Sequence, residues 1–222
     1  MIKLVAFDWN GTILSDTSAV IKSESAVLVK YGLNPTYLKE FQRNYTVPLR
    51  TYWTNMGINP KIFDRDSRKI RKIFFDAYES LENKCRTRSN SRTILDWLKK
   101  NKILSVIFSN HPATHIAIQV KRLKIDKQFA NILGYATYKD HSMMYKRGKE
   151  EELRRFIQKL KFKPKEVVLV GDTEEEIEIG QKRGYFTVAL TGGYQNVRRL
   201  KAAKPDFLIN NLLELKKIIQ GL

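Results

Sequence analysis

Three short, nearly unbroken apolar runs stand out in a chain that otherwise mixes apolar and polar positions: residues 4–7, 103–108 and 167–170. Runs of this length, ending at polar turn residues, predict strands buried on both faces. Residues 15–88 carry no convincing strand run. Apolar residues there recur at helical spacing over 18–31, ending at Gly32, and over 36–44 around Leu38 and Phe41. They do so again over 48–56 before Gly57, and over 66–81, where Ile70, Ile73, Phe74, Ala77, Tyr78 and Leu81 form one stripe. From residue 93 the pattern alternates. Helices are predicted over 94–100, 115–123, 149–160, 174–183 (stopped by Gly184) and 212–219, and strands over 103–108, 132–136, 167–170, 186–190 and 207–209. Alternating strand and helix predicts an α/β fold, a mostly parallel sheet with helices on both faces, interrupted by an all-helical insertion that returns near residues 88–91. No internal repeat is present.

The strand ends carry the chemistry. The first run stops at Asp8-Trp9-Asn10-Gly11-Thr12, the second at Ser109-Asn110, and the third at Gly171-Asp172-Thr173-Glu174-Glu175-Glu176. In an open α/β sheet, ligands bind just beyond the carboxyl ends of strands. Asp8 alone would be an ordinary strand-ending residue. Carboxylates delivered by two separate strands, with further oxygen ligands, suit a hard cation such as Mg²⁺. A hydroxyl and loop amides suit a phosphate, and a carboxylate beside such a cation can attack phosphorus to form an aspartyl-phosphate.

These segments, in this order, resemble the haloacid dehalogenase-like hydrolase superfamily, in the branch similar to phosphoglycolate phosphatase. The family's first motif, Asp-x-Asp-Gly-Thr, is matched by Asp8 to Thr12 with one departure. Its second, a Ser or Thr at a strand end, is matched by Ser109, and its fourth, Gly-Asp with a following acid, by Gly171-Asp172 and Glu175 or Glu176. The third is a Lys opening the helix before that last strand. Relatives similar to phosphoglycolate phosphatase have the spacing of Lys146, and other branches have that of Lys149. The resemblance implies a Rossmann-like core of residues 1–14 and 89–222 with a small helical cap over residues 15–88. It implies Mg²⁺-dependent hydrolysis of a small phosphorylated metabolite. Asp8 would be the nucleophile, with Asp8, the Asn10 carbonyl and Asp172 holding the metal and Glu175 or Glu176 orienting its waters. Ser109, Asn110 and the Lys would meet the phosphoryl group, and Thr12, hydrogen-bonding in the first loop, would join the substrate-binding residues. Arg50, in the cap segment beside Tyr52 and Trp53, is a candidate for a substrate anion.

The departure is Asn10. The family has an acid there that protonates the leaving group and later activates water, and an amide cannot do this. Its main-chain carbonyl remains a metal ligand whatever the side chain. The resemblance thus implies a phosphatase slowed by a missing acid–base group. A weak or inactive phosphate-binding regulatory module is the alternative.

Charge and composition add less. The chain has 222 residues, 42% of them hydrophobic, and 41 Lys and Arg against 23 Asp and Glu give a net charge of +18. Such a surface draws anions and admits nucleic acid as a partner, but the basic residues are spread along the chain and interleave with acids in helices, as solvated helix faces do, so nucleic acid is not favoured. A single Cys, Cys85, excludes an internal disulfide framework. With no apolar stretch of membrane-spanning length and no signal-peptide pattern, the expectation is a cytoplasmic monomer or homodimer. His111, His115 and His141 lack local spacing for a zinc site, since Pro112 interrupts the His111–His115 interval; His111 instead lies near enough to Ser109 to approach a substrate. Trp9 is expected to pack, and Gly192-Gly193-Tyr194 to form a turn.

Overall fold

The computed structural model describes residues 1–135, 142–145 and 148–222. Strand β1 (Leu4–Phe7) leads into the two-residue β2 (Leu14–Ser15), after which the chain leaves for helices α1 (Thr17–Lys30), α2 (Leu38–Asn44), α3 (Leu49–Asn55) and α4 (Pro60–Glu82). It returns through β3 (Arg86–Thr87), which pairs antiparallel with β2. There follow α5 (Ser91–Lys100), β4 (Leu104–Pro112), α6 (Ala113–Arg122), β5 (Asn131–Tyr135), α7 (Ser142–Tyr145), α8 (Lys149–Leu160) and β6 (Val167–Gly171). The chain ends with α9 (Glu174–Arg183), β7 (Phe186–Leu190), α10 (Val197–Ala202), β8 (Phe207–Ile209) and α11 (Glu214–Gly221).

Among the described residues the main sheet has six parallel strands in the order β5-β4-β1-β6-β7-β8. Strand order reverses at β1, so the crevice beyond its end is the topological switch point where open α/β sheets bind ligands. Phe7 lies opposite both Ile107 and Val170. Because these three strands are in step, the residues that follow them emerge side by side.

The apolar runs are explained by burial on both faces. Val5, Phe7, Ile107, Val168 and Val170 pack on one side with Ile94 and Leu98 of α5, Ile116 of α6 and Leu215 of α11. The alternate residues Leu4, Ala6, Val106, Phe108, Val167 and Leu169 pack on the other with Leu153 and Ile157 of α8 and Ile179 of α9. The inserted helices form a separate cluster around Phe41, Tyr52, Trp53, Phe63, Ile70 and Tyr78, which takes in Met144 and Tyr194 from outside the insertion.

Several boundaries differ from the pattern. Helix α4 begins at Pro60, well before residue 66, because the Asn59 side chain accepts from the Lys61 N–H at 2.9 Å and Pro60 stands where a missing N–H costs nothing. Strand β4 runs on to Pro112, with a register shift against β5 between Phe108 and Pro112. Such an irregularity re-aims side chains, and here it falls on Ser109, Asn110 and His111. The return of the chain is a two-stranded ladder, β2 with β3, placed before residues 88–91. Helix α10 lies where the pattern predicts no element, started by Asn196 accepting from the Arg199 N–H at 3.0 Å. Trp9 is fully buried in the sheet core. Ala136, His141 and Lys146 lie outside the described residues.

Candidate active site

Asp8 leaves the end of β1 and opens into a cavity of about 100 Å³, room for several waters. Asn10, Ser109, Asn110, Lys149, Glu175 and Glu176 line the same cavity. Lys149, the first residue of α8, is buried, and its ammonium stands 3.1 Å from Asp8 Oδ1 and 3.5 Å from Glu175 Oε2. It also donates to Glu176 Oε1, and the Phe108 ring centroid is 5.0 Å away. Burial alone would discharge this lysine. The carboxylates of Asp8, Glu176 and Glu175 outweigh burial and raise its pKa well above the ordinary lysine range, so it stays charged.

The acids around it are themselves fixed. Glu175 Oε2 accepts from the Asn110 amide at 2.7 Å. Glu176 Oε2 accepts from the backbone N–H and hydroxyl of Thr173 at 3.0 and 2.7 Å, a capping box that starts α9 and aims the other oxygen at Lys149. Asp172, fully buried, accepts from the Thr12 hydroxyl at 2.5 Å and from the Tyr194 N–H at 2.6 Å. That seat needs two glycines: a Cβ on Gly11, where φ is +74°, would stand 2.3 Å from Asp172 Oδ2, and one on Gly193 would stand 2.1 Å from it. The Gly192-Gly193-Tyr194 turn is thus part of the site. Arg88, just past β3, ties the loops together by donating to the carbonyls of Gly11 and Thr191, each at 2.7 Å.

Burial, with Glu176 close by, pushes Asp172 up to about 7. Burial likewise holds Asp8 well above the carboxylate range, with Glu176 and Asp172 adding to the rise and Lys149 opposing it. Three carboxylates, of Asp8, Glu175 and Glu176, surround one buried ammonium, and Asp172 acts on Asp8 from close by, so the site carries more negative charge than Lys149 alone neutralises. Such an all-oxygen set fits a hard divalent cation, and the residues able to hold it are Asp8, Asp172 and the Asn10 carbonyl, with Glu175 and Glu176 behind them.

The haloacid dehalogenase-like hydrolase family profile matches residues 5–190. The chain belongs to that family. Within this family it falls in the phosphoglycolate phosphatase-like branch. It is 24% identical over 224 residues to a phosphoglycolate phosphatase of Vibrio vulnificus, covering 98% of this chain and 96% of that one. It is 23% identical over 225 residues to one from Haemophilus influenzae, with 98% of each chain covered. A predicted phosphatase from Clostridium acetobutylicum shares the fold over the whole of both chains, with a TM-score of 0.81 at 19% identity.

Against this haloacid dehalogenase-like frame, some expected residues sit elsewhere. Of the two lysine candidates, Lys149 reaches Asp8, while Lys146 lies outside the described residues. Arg50 is a correction. It is not among the cavity-lining residues, and one edge of its guanidinium, Nε and Nη2, donates to the two oxygens of Asp64 at 2.7 and 2.8 Å on the exposed surface. The buried arginine on the cavity wall is Arg71, one helix later, whose guanidinium lies 5.4 Å from the Phe75 ring centroid. Thr12 is a second correction: its hydroxyl holds Asp172 and does not line the cavity.

A buried network behind Asn10 was not foreseen. Asp16 Oδ2 accepts from Asn10 Nδ2 at 2.7 Å, Tyr78 OH at 2.7 Å and Tyr194 OH at 2.8 Å, and its Oδ1 accepts from the Gly11 N–H at 2.9 Å. Nothing in the sequence around Asp16 signals that two distant tyrosines converge on it.

Lys149 gives the first test. Lys149→Met keeps the stem and removes the charge that Asp8, Glu175 and Glu176 share. Breaking a buried ion pair costs about 3–5 kcal/mol, so urea unfolding of the metal-free protein should shift to lower denaturant. Turnover should fall by roughly 10²–10³-fold, the scale for one electrostatic donor at a reacting group. Lys146→Ala should leave both within a few-fold.

Proposed function

We propose that this enzyme hydrolyses small phosphate monoesters in two steps, through an aspartyl-phosphate on Asp8. The observation that carries the reading is the Asp8 carboxylate, buried at the switch point and held 3.1 Å from a buried Lys149 in a cavity shared with Ser109. An Asp8 oxygen attacks phosphorus and the bond to the leaving oxygen breaks. The leaving group takes its proton from cavity water, since Asn10 has none to give. The hydroxide so formed, or a water that gives its proton to it, then attacks the same phosphorus, and the bond to Asp8 breaks to release inorganic phosphate and the free carboxylate. Lys149 and the Ser109 hydroxyl hold phosphoryl oxygens and offset the charge that builds on them. Mg²⁺, held by Asp8, Asp172 and the Asn10 carbonyl, would neutralise phosphoryl charge when bound. Residues 15–88 act as a cap on the core of residues 1–14 and 89–222, swinging on the β2–β3 ladder to admit substrate and exclude bulk water. We place the enzyme in the cytoplasm; no helix among the described residues is long and apolar enough to cross a membrane.

The names of the relatives support phosphoglycolate, and Arg71 supplies a cation on the cap side of the cavity for a second anionic group. Arg71→Ala should raise KM for phosphoglycolate at least about tenfold, the scale of a lost charge-assisted hydrogen bond. Its effect on p-nitrophenyl phosphate should be small. Arg50→Ala should leave both KM values within about twofold, since an exposed pair contributes little.

The deciding experiment is a panel of phosphate monoesters assayed after dialysis against EDTA and again with Mg²⁺ restored. Activity should vanish and return in the native protein, and fail to return in Asp172→Ala at the same Mg²⁺. Turnover that persists in excess EDTA would sink the metal-assisted mechanism, and no turnover of any monoester would sink the phosphatase reading.

A further inference from the structure

Glu82, His111 and His115 form a second cluster of ligand-bearing side chains, separate from the carboxylates around Lys149. Glu82 ends α4, the last inserted helix; His111 lies in the irregular end of β4; His115 is in the first turn of α6. One ligand atom from each lies within 4.8 Å of the others, the one such triple of His, Cys, Asp or Glu among the described residues. The reading from sequence weighed only local spacing. The third ligand comes from the far side of the chain's excursion through the inserted helices.

Two of these groups each carry one buried atom with no hydrogen-bond partner among the described residues, Glu82 Oε1 and His111 Nε2. Glu82 is 2% and His111 9% exposed. Orphaned buried atoms of this kind are rare in folded proteins and call for a reason. A direct bond between them is not the reason, because they stand 3.6 Å apart. An ion pair is not the reason either. Burial, with His115 and Arg71 nearby, holds His111 down to about 3, so its imidazole is neutral and offers a lone pair. Burial, with Asp16 nearby, pushes Glu82 up to about 7 in spite of Gln119 and Arg122, which act the other way.

A shared cation answers both. Ligands about 2.1 Å from a tetrahedral zinc ion stand about 3.4 Å from one another, close to the 3.6 Å between His111 Nε2 and Glu82 Oε1. Two imidazoles and one carboxylate are a zinc donor set, whereas Mg²⁺ takes oxygen ligands and keeps its waters. The half-exposed His115 leaves the remaining position on the solvent side for water.

We propose that Glu82, His111 and His115 bind one divalent transition-metal ion, zinc suiting them best, which ties the last turn of α4 to the strand–helix corner two residues beyond Ser109. The site would fasten the insertion to the sheet close to the β2–β3 ladder. It stands independently of the phosphatase reading.

The test uses the full chain, stripped of metal and kept in excess Mg²⁺ so that the oxygen-ligand site is filled. Titration with Co²⁺ should give one equivalent with the visible absorption of a low-coordinate nitrogen–oxygen site, and Zn²⁺ should displace it. Calorimetry with Zn²⁺ should show at least about tenfold weaker binding in both His115→Ala and Glu82→Gln. Zinc should raise Tm in the native protein and not in those variants. His115→Ala changes a half-exposed side chain, so its fold is expected to survive, and circular dichroism checks this. Equal zinc affinity in the native protein and both variants would overturn the proposal, as would the absence of any Co²⁺ band, since metal held by the carboxylates around Lys149 would be indifferent to His115.

Discussion

Asp8→Ala should reduce turnover to background, a loss on the order of 10⁴–10⁶-fold, the scale seen when a covalent nucleophile is removed. No neighbour can take over the attack. Glu175 is committed to Asn110 and Lys149, Glu176 to Thr173 and Lys149, and Asp172 to Thr12 and Tyr194. Stability should move the other way. Burial and the nearby acids hold Asp8 well above the usual carboxylate range, so its ionised form opposes folding at neutral pH. The sign follows from the direction: a carboxyl whose folded pKa is raised costs stability once pH climbs past its unfolded value, and that cost goes with the side chain. Metal-free Asp8→Ala should therefore unfold in urea at the same or higher concentration than the native protein at pH 7. Full phosphatase activity in a folded Asp8→Ala would remove the covalent route. A clear loss of stability would mean that the Asp8–Lys149 contact outweighs the burial of the carboxylate.

Much of the fold was legible because its strands are buried on both faces. Residues 4–7 and 207–209 read as strands since nothing polar interrupts them before a turn residue, 186–190 because Thr187 is the one polar residue in an apolar run, and 149–160 read as a helix from its spacing. What escaped was structure set by pairing and by caps. The β2–β3 ladder is two residues on each side, too short for any periodicity, and exists because the chain must leave and re-enter at one point. The early start of α4 lay in Asn59-Pro60, a capping signal with no apolar stripe to announce it. The site divides the same way. Asp8, Ser109 and Asp172 could be picked out because each follows or closes an apolar run, and the β4-β1-β6 order brings them together. Arg71, Tyr78 and Tyr194 could not. They reach the site through tertiary packing, and a surface arginine such as Arg50 looks the same in sequence as a buried one.

Asn10→Asp should raise turnover of alkyl phosphates by roughly 10²–10⁴-fold, the contribution of a positioned general acid–base group. The change is nearly isosteric and leaves the Asn10 carbonyl in place. Its surroundings make the new carboxyl a better acid–base group than an isolated one. It would stand about where Asn10 Nδ2 now lies, 2.7 Å from Asp16 Oδ2 and 3.1 Å from the Tyr78 hydroxyl. Two carboxyls at that separation cannot both ionise, so they share a proton, and the pair's first deprotonation moves up towards neutrality. Asp16 already receives the Tyr78 and Tyr194 hydroxyls and the Gly11 N–H. Burial raises Asp16 and those three donors oppose the rise, so the proton is shared with the carboxyl at position 10, which lines the cavity and can pass it to the leaving group. The gain should be small for p-nitrophenyl phosphate, whose leaving group departs without a proton, unless attack of water on the aspartyl-phosphate limits the rate. Asn10-Gly11 is prone to deamidation, so the native sample must be checked by peptide mass spectrometry; a small deamidated fraction would otherwise lend it activity that belongs to the variant. An unchanged or lower rate with both substrate types, in a folded and Mg²⁺-binding Asn10→Asp protein, would mean that another group already supplies the proton or that phosphate hydrolysis is not the native reaction.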